Sequence, residues 1–210
     1  MEEYHALDRW LSWMDELALN DYVIIDDFLR EDRLNVLQAF FKEHLEAFTK
    51  AGIGALNDQM IRSDIRGDFT YWLDRKRDTP LDSIWSLIDE TIHIYNRYCY
   101  LGLSGYEFHL AHYPTGGHYD KHLDQFNNRN NRTISMIFYL NKNWQKGDGG
   151  ELEIYQEDGS TLLVEPLEAR CVMFKSAVVP HAVLASNKPR YSLTGWLLQQ
   201  PSKLGQFSLT

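Results

Sequence analysis

The chain is expected to fold as an α+β domain, with N-terminal helices packed on one sheet of a jelly-roll β core. Three observations lead there. Apolar residues in the first hundred positions recur with helical period, whereas later ones come in short runs rich in β-branched and aromatic residues. The turn-forming stretches "PTGG", "KGDGG" and "EDGS" separate those runs. No strand-helix alternation of the βαβ kind is present. With 210 residues, 44% of them hydrophobic and 13% aromatic, the sequence can bury one sizeable core. One domain over 1–210 is therefore expected, with a helical part at 1–104, a jelly-roll β core at 105–200 and a short C-terminal tail.

Each element has its own signature. Leu7, Trp10, Leu11, Met14 and Leu17 form one apolar stripe at helical spacing. "DYVIIDDFL" reads as a short strand. Leu34, Leu37, Phe41 and Leu45 predict a second helix. Trp85, Ile88, Ile92 and Tyr95 predict a third, with Asp82 as its N-cap. The charged segment 59–80 between the second and third helices reads as a long loop flanked by strand, of the kind that often carries function. From Tyr106 onward, "YEFHLAHY", "RTISMIFYL", "ELEIY", "TLLVE", "RCVMF", "HAVLA" and "RYSLTGWLL" read as strands. Alternation puts Tyr106, Phe108 and Leu110 on one face, and His109, Ala111 and Tyr113 on the other. In the last strand Arg190, Ser192, Thr194 and Trp196 share a face, so one side of the strand can line a lumen while its back packs on helices.

Charge and flanking segments narrow the function classes. The formal net charge is -9 and the pI about 5.3, which disfavours nucleic acid and anionic membranes as partners. The acidic, amphipathic N-terminus lacks the basic start and apolar run of a secretory signal, and no apolar run is long enough for a bilayer span. Cys99 and Cys171 lie far apart without Cys-x-x-Cys spacing. Reduced, mostly buried thiols in a cytoplasmic protein are expected.

The stretch "HYDKHLDQF", 118–126, concentrates histidine and aspartate. It is either a solvated turn or part of a metal site. His122 and Asp124 are two apart, so an extended backbone projects both the same way. His181, after Pro180 and at the start of "HAVLA", is the best third ligand. Two imidazoles and one carboxylate leave open positions on an ion, the facial triad of non-haem Fe(II) oxygenases. Nine residues beyond His181 lies Arg190, whose fork geometry suits a carboxylate such as the distal one of 2-oxoglutarate. Tyr139, on the inward face of "RTISMIFYL", can add a hydroxyl donor.

The motifs "HYPTGGHYDKHLD", "IFYLNKNW", "GGELEIY" and "PHAVLASNKPRYSLTGW" closely resemble the 2-oxoglutarate-dependent prolyl 4-hydroxylases of the Egl-nine, oxygen-sensing type. "IRGDFTYWLD" resembles the start of that family's substrate-covering loop. The resemblance is strongest over 105–200 and extends weakly back to "VIIDDFL". It implies a double-stranded β-helix fold with Fe(II), 2-oxoglutarate and O₂ as cofactor and co-substrates, and ascorbate as a reductant. It implies His122, Asp124 and His181 as iron ligands, and Arg190, Tyr139, Tyr113 and Thr194 around 2-oxoglutarate. Trp196 falls at the pocket, and Asp68 with Arg132 on a pair that pins the mobile loop. The implied partner is a proline-containing loop of a transcription, ribosomal or translation factor, and the implied reaction is C4 hydroxylation of that proline. Two departures bear on substrate choice. His109 stands where the oxygen sensors have methionine, and the chain stops soon after "GWLLQQP".

Other readings stand beside these. His109, His112 and His118 fit pocket wall or surface better than ligands, because a fourth protein ligand would block a position the co-substrate needs. Trp196 reads equally as core, and Cys171 and Met173 read as core. "RGD" at 66–68 is an integrin-type sequence, a poor fit without an export signal. The alternatives to prolyl hydroxylation are the same chemistry on another amino acid or small molecule, a cupin-type metalloprotein without 2-oxoglutarate, and a catalytically idle binding module.

Overall fold

The computed structural model describes residues 4–52, 65–125 and 130–199. In chain order these hold α1 (Leu7–Asn20), β1 (Tyr22–Ile25), α2 (Glu31–Glu43), β2 (Thr49–Lys50), β3 (Phe69–Trp72), α3 (Asp82–Cys99), β4 (Leu103–Tyr113), β5 (Tyr119–His122), β6 (Arg132–Tyr139), β7 (Leu152–Tyr155), β8 (Thr161–Val164), β9 (Cys171–Lys175), β10 (His181–Val183) and β11 (Arg190–Gln199). Seven strands form one sheet in the order β1-β9-β6-β11-β4-β3-β2, and four form a second in the order β5-β10-β7-β8. The named pairings are all antiparallel. Helices in front of two antiparallel sheets is the arrangement expected from the change of period.

The helices form where the apolar stripes predict them. Trp10, Trp13, Met14 and Leu17 of α1 are buried, and so are Leu34, Leu37, Phe40 and Phe41 of α2 and Trp85, Ile88 and Tyr95 of α3. They pack on Phe108, Leu110, Leu193 and Leu197 from the outer face of the large sheet. The inner face turns Ala111, Tyr113, Tyr139 and Val172 toward the small sheet, where they join Leu152, Ile154 and Val164. At Gly195 in β11, a Cβ would lie 2.2 Å from Phe108 Cδ1 and 2.4 Å from the Glu107 carbonyl. Only glycine lets β11 and β4 pair there.

Three details differ from expectation. Asp82 is the first residue inside α3 and not its cap; Leu81 precedes the helix and no side chain caps it. The short 3-10 turn Thr79–Leu81 delivers the chain into the helix instead, with Trp85 Nε1 donating to the Asp78 carbonyl. Leu45 falls beyond α2, in a second 3-10 turn, because the helix stops at Glu43. The expected loop 59–80 contains β3, which pairs Phe69–Trp72 with His109–His112. Residues 59–64 of that loop, and the tail from 200 onward, lie outside the described residues.

Candidate metal centre and co-substrate pocket

His122 and His181 face each other directly across the β5·β10 pairing. Asp124 lies two residues past His122, in the turn that follows β5. One ligand atom from each of the three lies within 4.8 Å of the others. Asp124 Oδ1 is 3.6 Å from His122 Nε2, and Oδ2 is 3.8 Å from His181 Nε2. Each imidazole is oriented from behind. His122 Nδ1 sits 2.7 Å from the Asp120 carbonyl and His181 Nδ1 3.0 Å from the Val179 carbonyl. Those contacts place N–H at Nδ1, so Nε2 is the atom that each ring presents toward Asp124.

The carboxylate is held from the facing strand. Ser135 Oγ donates to Asp124 Oδ2 at 2.6 Å and lies 2.9 Å from Ser176 Oγ. Burial by itself would raise the Asp124 pKa, but His181, His122 and the Ser135 hydroxyl outweigh it and hold the group well below the usual carboxylate range. Burial pulls His181 down to about 4, so it is a neutral donor at physiological pH. Two imidazoles and one anionic oxygen fit a divalent ion of the ferrous kind.

Sheet register places a cation deeper in the same lumen. Ser135 and Tyr139 point the same way on β6, four residues apart, or roughly 13 Å along the strand. Tyr139 is opposite Ser192, and Arg190 opposite Tyr113. Arg190 is 1% exposed, and its guanidinium carbon lies 5.0 Å from both the Tyr113 and the Tyr139 ring centroids. Its Nε donates to the Gly150 carbonyl at 2.9 Å, and among the described residues it forms no ion pair. Tyr139 Oη is buried with no hydrogen-bond partner among the described residues. A buried guanidinium without a carboxylate, beside an orphan hydroxyl, is a cradle for an anionic group that the chain itself does not supply. Burial raises the pKa of both tyrosines, so they stay protonated donors.

The wall beside the three ligands is aromatic. Trp72, His109 and Thr194 occupy adjacent rungs of β3, β4 and β11. His109 lies 4.8 Å from Trp72 and 5.6 Å from Trp196, ring centre to ring centre. Burial, with Arg66 and Arg132 nearby, drives its pKa well down, so the ring is neutral; Nδ1 has no partner among the described residues. Trp196 Nε1 is likewise buried without a partner, and its ring lies 3.4 Å from the Arg132 guanidinium carbon. His112 packs against Tyr191 on the outer face, and His118 lies 3.7 Å from Asp120.

One expected pair does not form. Asp68 is fully buried, but Arg66 holds it, through Nε at 2.5 Å and Nη2 at 2.9 Å. Arg132 bonds Glu107 at 2.6 Å and the Asp124 carbonyl at 3.2 Å. The two arginines reach this region from different elements: Arg132 starts β6, whereas Arg66 bridges to Tyr119, whose ring stacks on His122. The "RGD" triplet is thus closed on itself as an internal ion pair. Ser135, Ser176, Arg66, Glu107 and the Gly150 carbonyl were all missed from sequence. Only Ser135 carried a signal, its even spacing from Tyr139.

Comparison with known proteins agrees with this arrangement. The family model described as "2OG-Fe(II) oxygenase superfamily" matches residues 108–198. The crystal structure of a Pseudomonas putida prolyl-4-hydroxylase is 34% identical, with a TM-score of 0.81, covering 90% of this chain and 98% of that one. The chain belongs to the 2OG-Fe(II) oxygenases. Within that superfamily it is homologous to prolyl hydroxylases. It is 33% identical over 163 residues to the human prolyl hydroxylase EGLN3, covering 68% of this chain and 66% of that protein. It is 29% identical over 206 residues to the hypoxia-inducible factor prolyl hydroxylase of Caenorhabditis elegans, of which it spans only 28%. A Trichoplax adhaerens prolyl hydroxylase, solved with a peptide fragment of hypoxia inducible factor, shares the fold at TM-score 0.78 and 24% identity. Oxygenases of this superfamily use Fe(II), 2-oxoglutarate and O₂, and the His-Asp-His group fits the iron.

Proposed function

We propose that the chain is a single catalytic domain that hydroxylates C4 of a prolyl residue in a protein loop, at the expense of 2-oxoglutarate. The observation that carries this reading is the pairing of two incomplete groups in one lumen: three convergent donors, and a buried guanidinium with no carboxylate partner among the described residues. His122, Asp124 and His181 would hold the ion. Arg190 and Tyr139 would hold the distal carboxylate of 2-oxoglutarate, with Tyr113 and Thr194 beside it. The ion, when bound, supplies the activation of O₂ coupled to decarboxylation of 2-oxoglutarate to succinate.

The chain's own residues do the rest. Backbone carbonyls and Ser135 fix the three ligands before any ion arrives, so little reorganisation is needed. The apolar inner face, including Val172, Phe174 and Ile137, keeps water from the pocket. Trp72, His109 and Trp196 form the wall against which a flat, apolar pyrrolidine ring would rest. The relatives' action on prolyl residues supports that choice, as does the acidic charge, which opposes a nucleic-acid substrate. A transcription, ribosomal or translation factor in the cytoplasm is the proposed partner class, with ascorbate as a supporting reductant. No helix among the described residues is long and apolar enough to cross a membrane.

The test is incubation of the Fe(II)- and 2-oxoglutarate-loaded protein with host lysate, followed by peptide mass spectrometry. One added oxygen on a proline, absent with Asp124→Ala, is the expected outcome. Modification of another residue type alone would reject the prolyl assignment. Failure to turn 2-oxoglutarate into succinate under any condition would reject the oxygenase chemistry.

A further inference from the structure

The strands that carry the co-substrate cradle have a second face. Tyr139 and Arg190 point into the lumen, so their neighbours Leu140 and Tyr191 point out. With Phe41 from α2 and Trp144 from the segment after β6, these outward residues border a groove of about 620 Å³. That size lies within the range of roughly 300–1,000 Å³ typical of small-molecule sites.

The charged residues lining the groove have one sign. They are Lys42, Lys142 and Lys188, with no aspartate or glutamate among them. This is notable in a chain with 30 acidic and 21 basic residues. Lys188 is engaged by Asp148 and lies 4.6 Å from the Trp144 ring centre. Lys42 and Lys142 are exposed and form no ion pair among the described residues. The groove therefore offers aromatic and aliphatic walls with two uncommitted ammonium groups.

Its floor is also the back of the co-substrate cradle. Arg190 Nε donates to the Gly150 carbonyl at 2.9 Å. A Cβ at Gly150 would lie 3.1 Å from Trp144 Cζ2 and 3.2 Å from Arg190 Cδ. The indole and the arginine stem thus close on Gly150 with no room for a methyl group. A body pressing on Trp144 from the groove has to displace either Gly150 or the Arg190 stem.

We propose that this groove binds a small amphipathic carboxylate, and that its occupancy weakens 2-oxoglutarate binding through Trp144 and Gly150. The apolar chain lies along Trp144, Tyr191 and Phe41, and Lys42 and Lys142 meet the carboxylate. The coupling rests on the role of Arg190 proposed above; the binding does not.

Dodecanoate below its micellar concentration is the probe, titrated calorimetrically into anaerobic Fe(II)-loaded protein. Saturable binding is expected, weakened about tenfold or more in the Lys42→Glu/Lys142→Glu double variant. Dodecyltrimethylammonium is expected to show no saturable binding. Absent dodecanoate binding, unchanged affinity in the double variant, or equal binding of the cation would each overturn the site. In a second arm, 2-oxoglutarate affinity is measured with and without saturating dodecanoate. A fall of about fivefold is expected, and its loss in Trp144→Phe. Unchanged 2-oxoglutarate affinity in the wild type would remove the coupling and leave the binding result standing. If 2-oxoglutarate does not bind at all, the oxygenase reading fails while the dodecanoate arm is still decided by its own measurement.

Discussion

The two faces of the seven-stranded sheet are built from the same strands and do opposite work. The outer face of β4, β6 and β11 presents Phe108, Leu110, Phe138, Leu193 and Leu197 to three helices, and polar groups are few there. The inner face of the same strands carries His109, Tyr113, Ser135, Tyr139, Arg190 and Ser192, all buried. Burying polar groups costs stability unless each finds a partner. Several inner ones have none among the described residues: Tyr139 Oη, His109 Nδ1 and Trp196 Nε1. The outer face therefore stabilises the domain, and the inner face keeps unsatisfied groups in place for something that binds. Period-two alternation lets one strand do both.

Substitutions on the two faces should separate stability from activity. The largest effect belongs to the inner face. Asp124→Ala or His122→Ala should lower turnover at least about a thousandfold, with the unfolding midpoint little changed. Substantial turnover in either variant would remove the proposed triad. Arg190→Ala comes next. It should weaken 2-oxoglutarate binding about a hundredfold, the size expected for losing a buried charge-assisted pair, while calorimetric metal binding stays near wild type. Equal affinity for 2-oxoglutarate would show that the cradle holds something else.

The outer face should respond in the opposite way. Gly195→Ala pushes a methyl group into Phe108 and the Glu107 carbonyl, so β11 and β4 must separate. It should cost about 3 kcal/mol or more in denaturant unfolding, and lower activity only through loss of folded protein. A midpoint unchanged from wild type would mean that the strand pair is more yielding than its geometry implies.

The smallest effect is the helical side's share of a pH dependence that His109 and His181, lowered in the same direction, also carry on the inner face. His5 is 4% exposed among Tyr4, Trp10, Trp13 and Phe28. Burial, then Arg9 and Arg30, lowers its pKa from 6.5 to about 4. A base whose pKa falls on folding takes up protons more readily when unfolded. The folded state is thus favoured above the unfolded value, and that advantage shrinks as pH drops from about 6.5 toward 4. Chemical denaturation of the metal-free protein is expected to show stability falling across this window, and falling less steeply in His5→Phe. An equal slope in that variant would assign the acid sensitivity to the inner face.

Much of this was legible in sequence, for definite physical reasons. Helical stripes and alternating strands reflect local periodicity, and so do the inward placements of His109, Tyr139, Arg190 and Trp196. His122 and Asp124 were visible as a pair because two residues of extended chain put both on one side. His181 and Arg190 lie dozens of residues further on; their places at strand starts and their nine-residue spacing suggested them, and motif resemblance tied them to that pair. Locally encoded features were misread at element ends, as with Asp82 and Leu45, where the competing 3-10 turns leave little trace in residue pattern, and at β3, a four-residue strand inside the segment read as a loop.

The sequence by itself determined the order of elements, the face each side chain would take, and which residues could be ligands. Tertiary structure decided the partnerships: Arg66 rather than Arg132 for Asp68, Ser135 behind Asp124, and a glycine carbonyl beneath Arg190. Alternation fixes a side chain's direction within its own strand. Which group it meets depends on strand register and sheet order, and those are set by how the whole chain closes on its core.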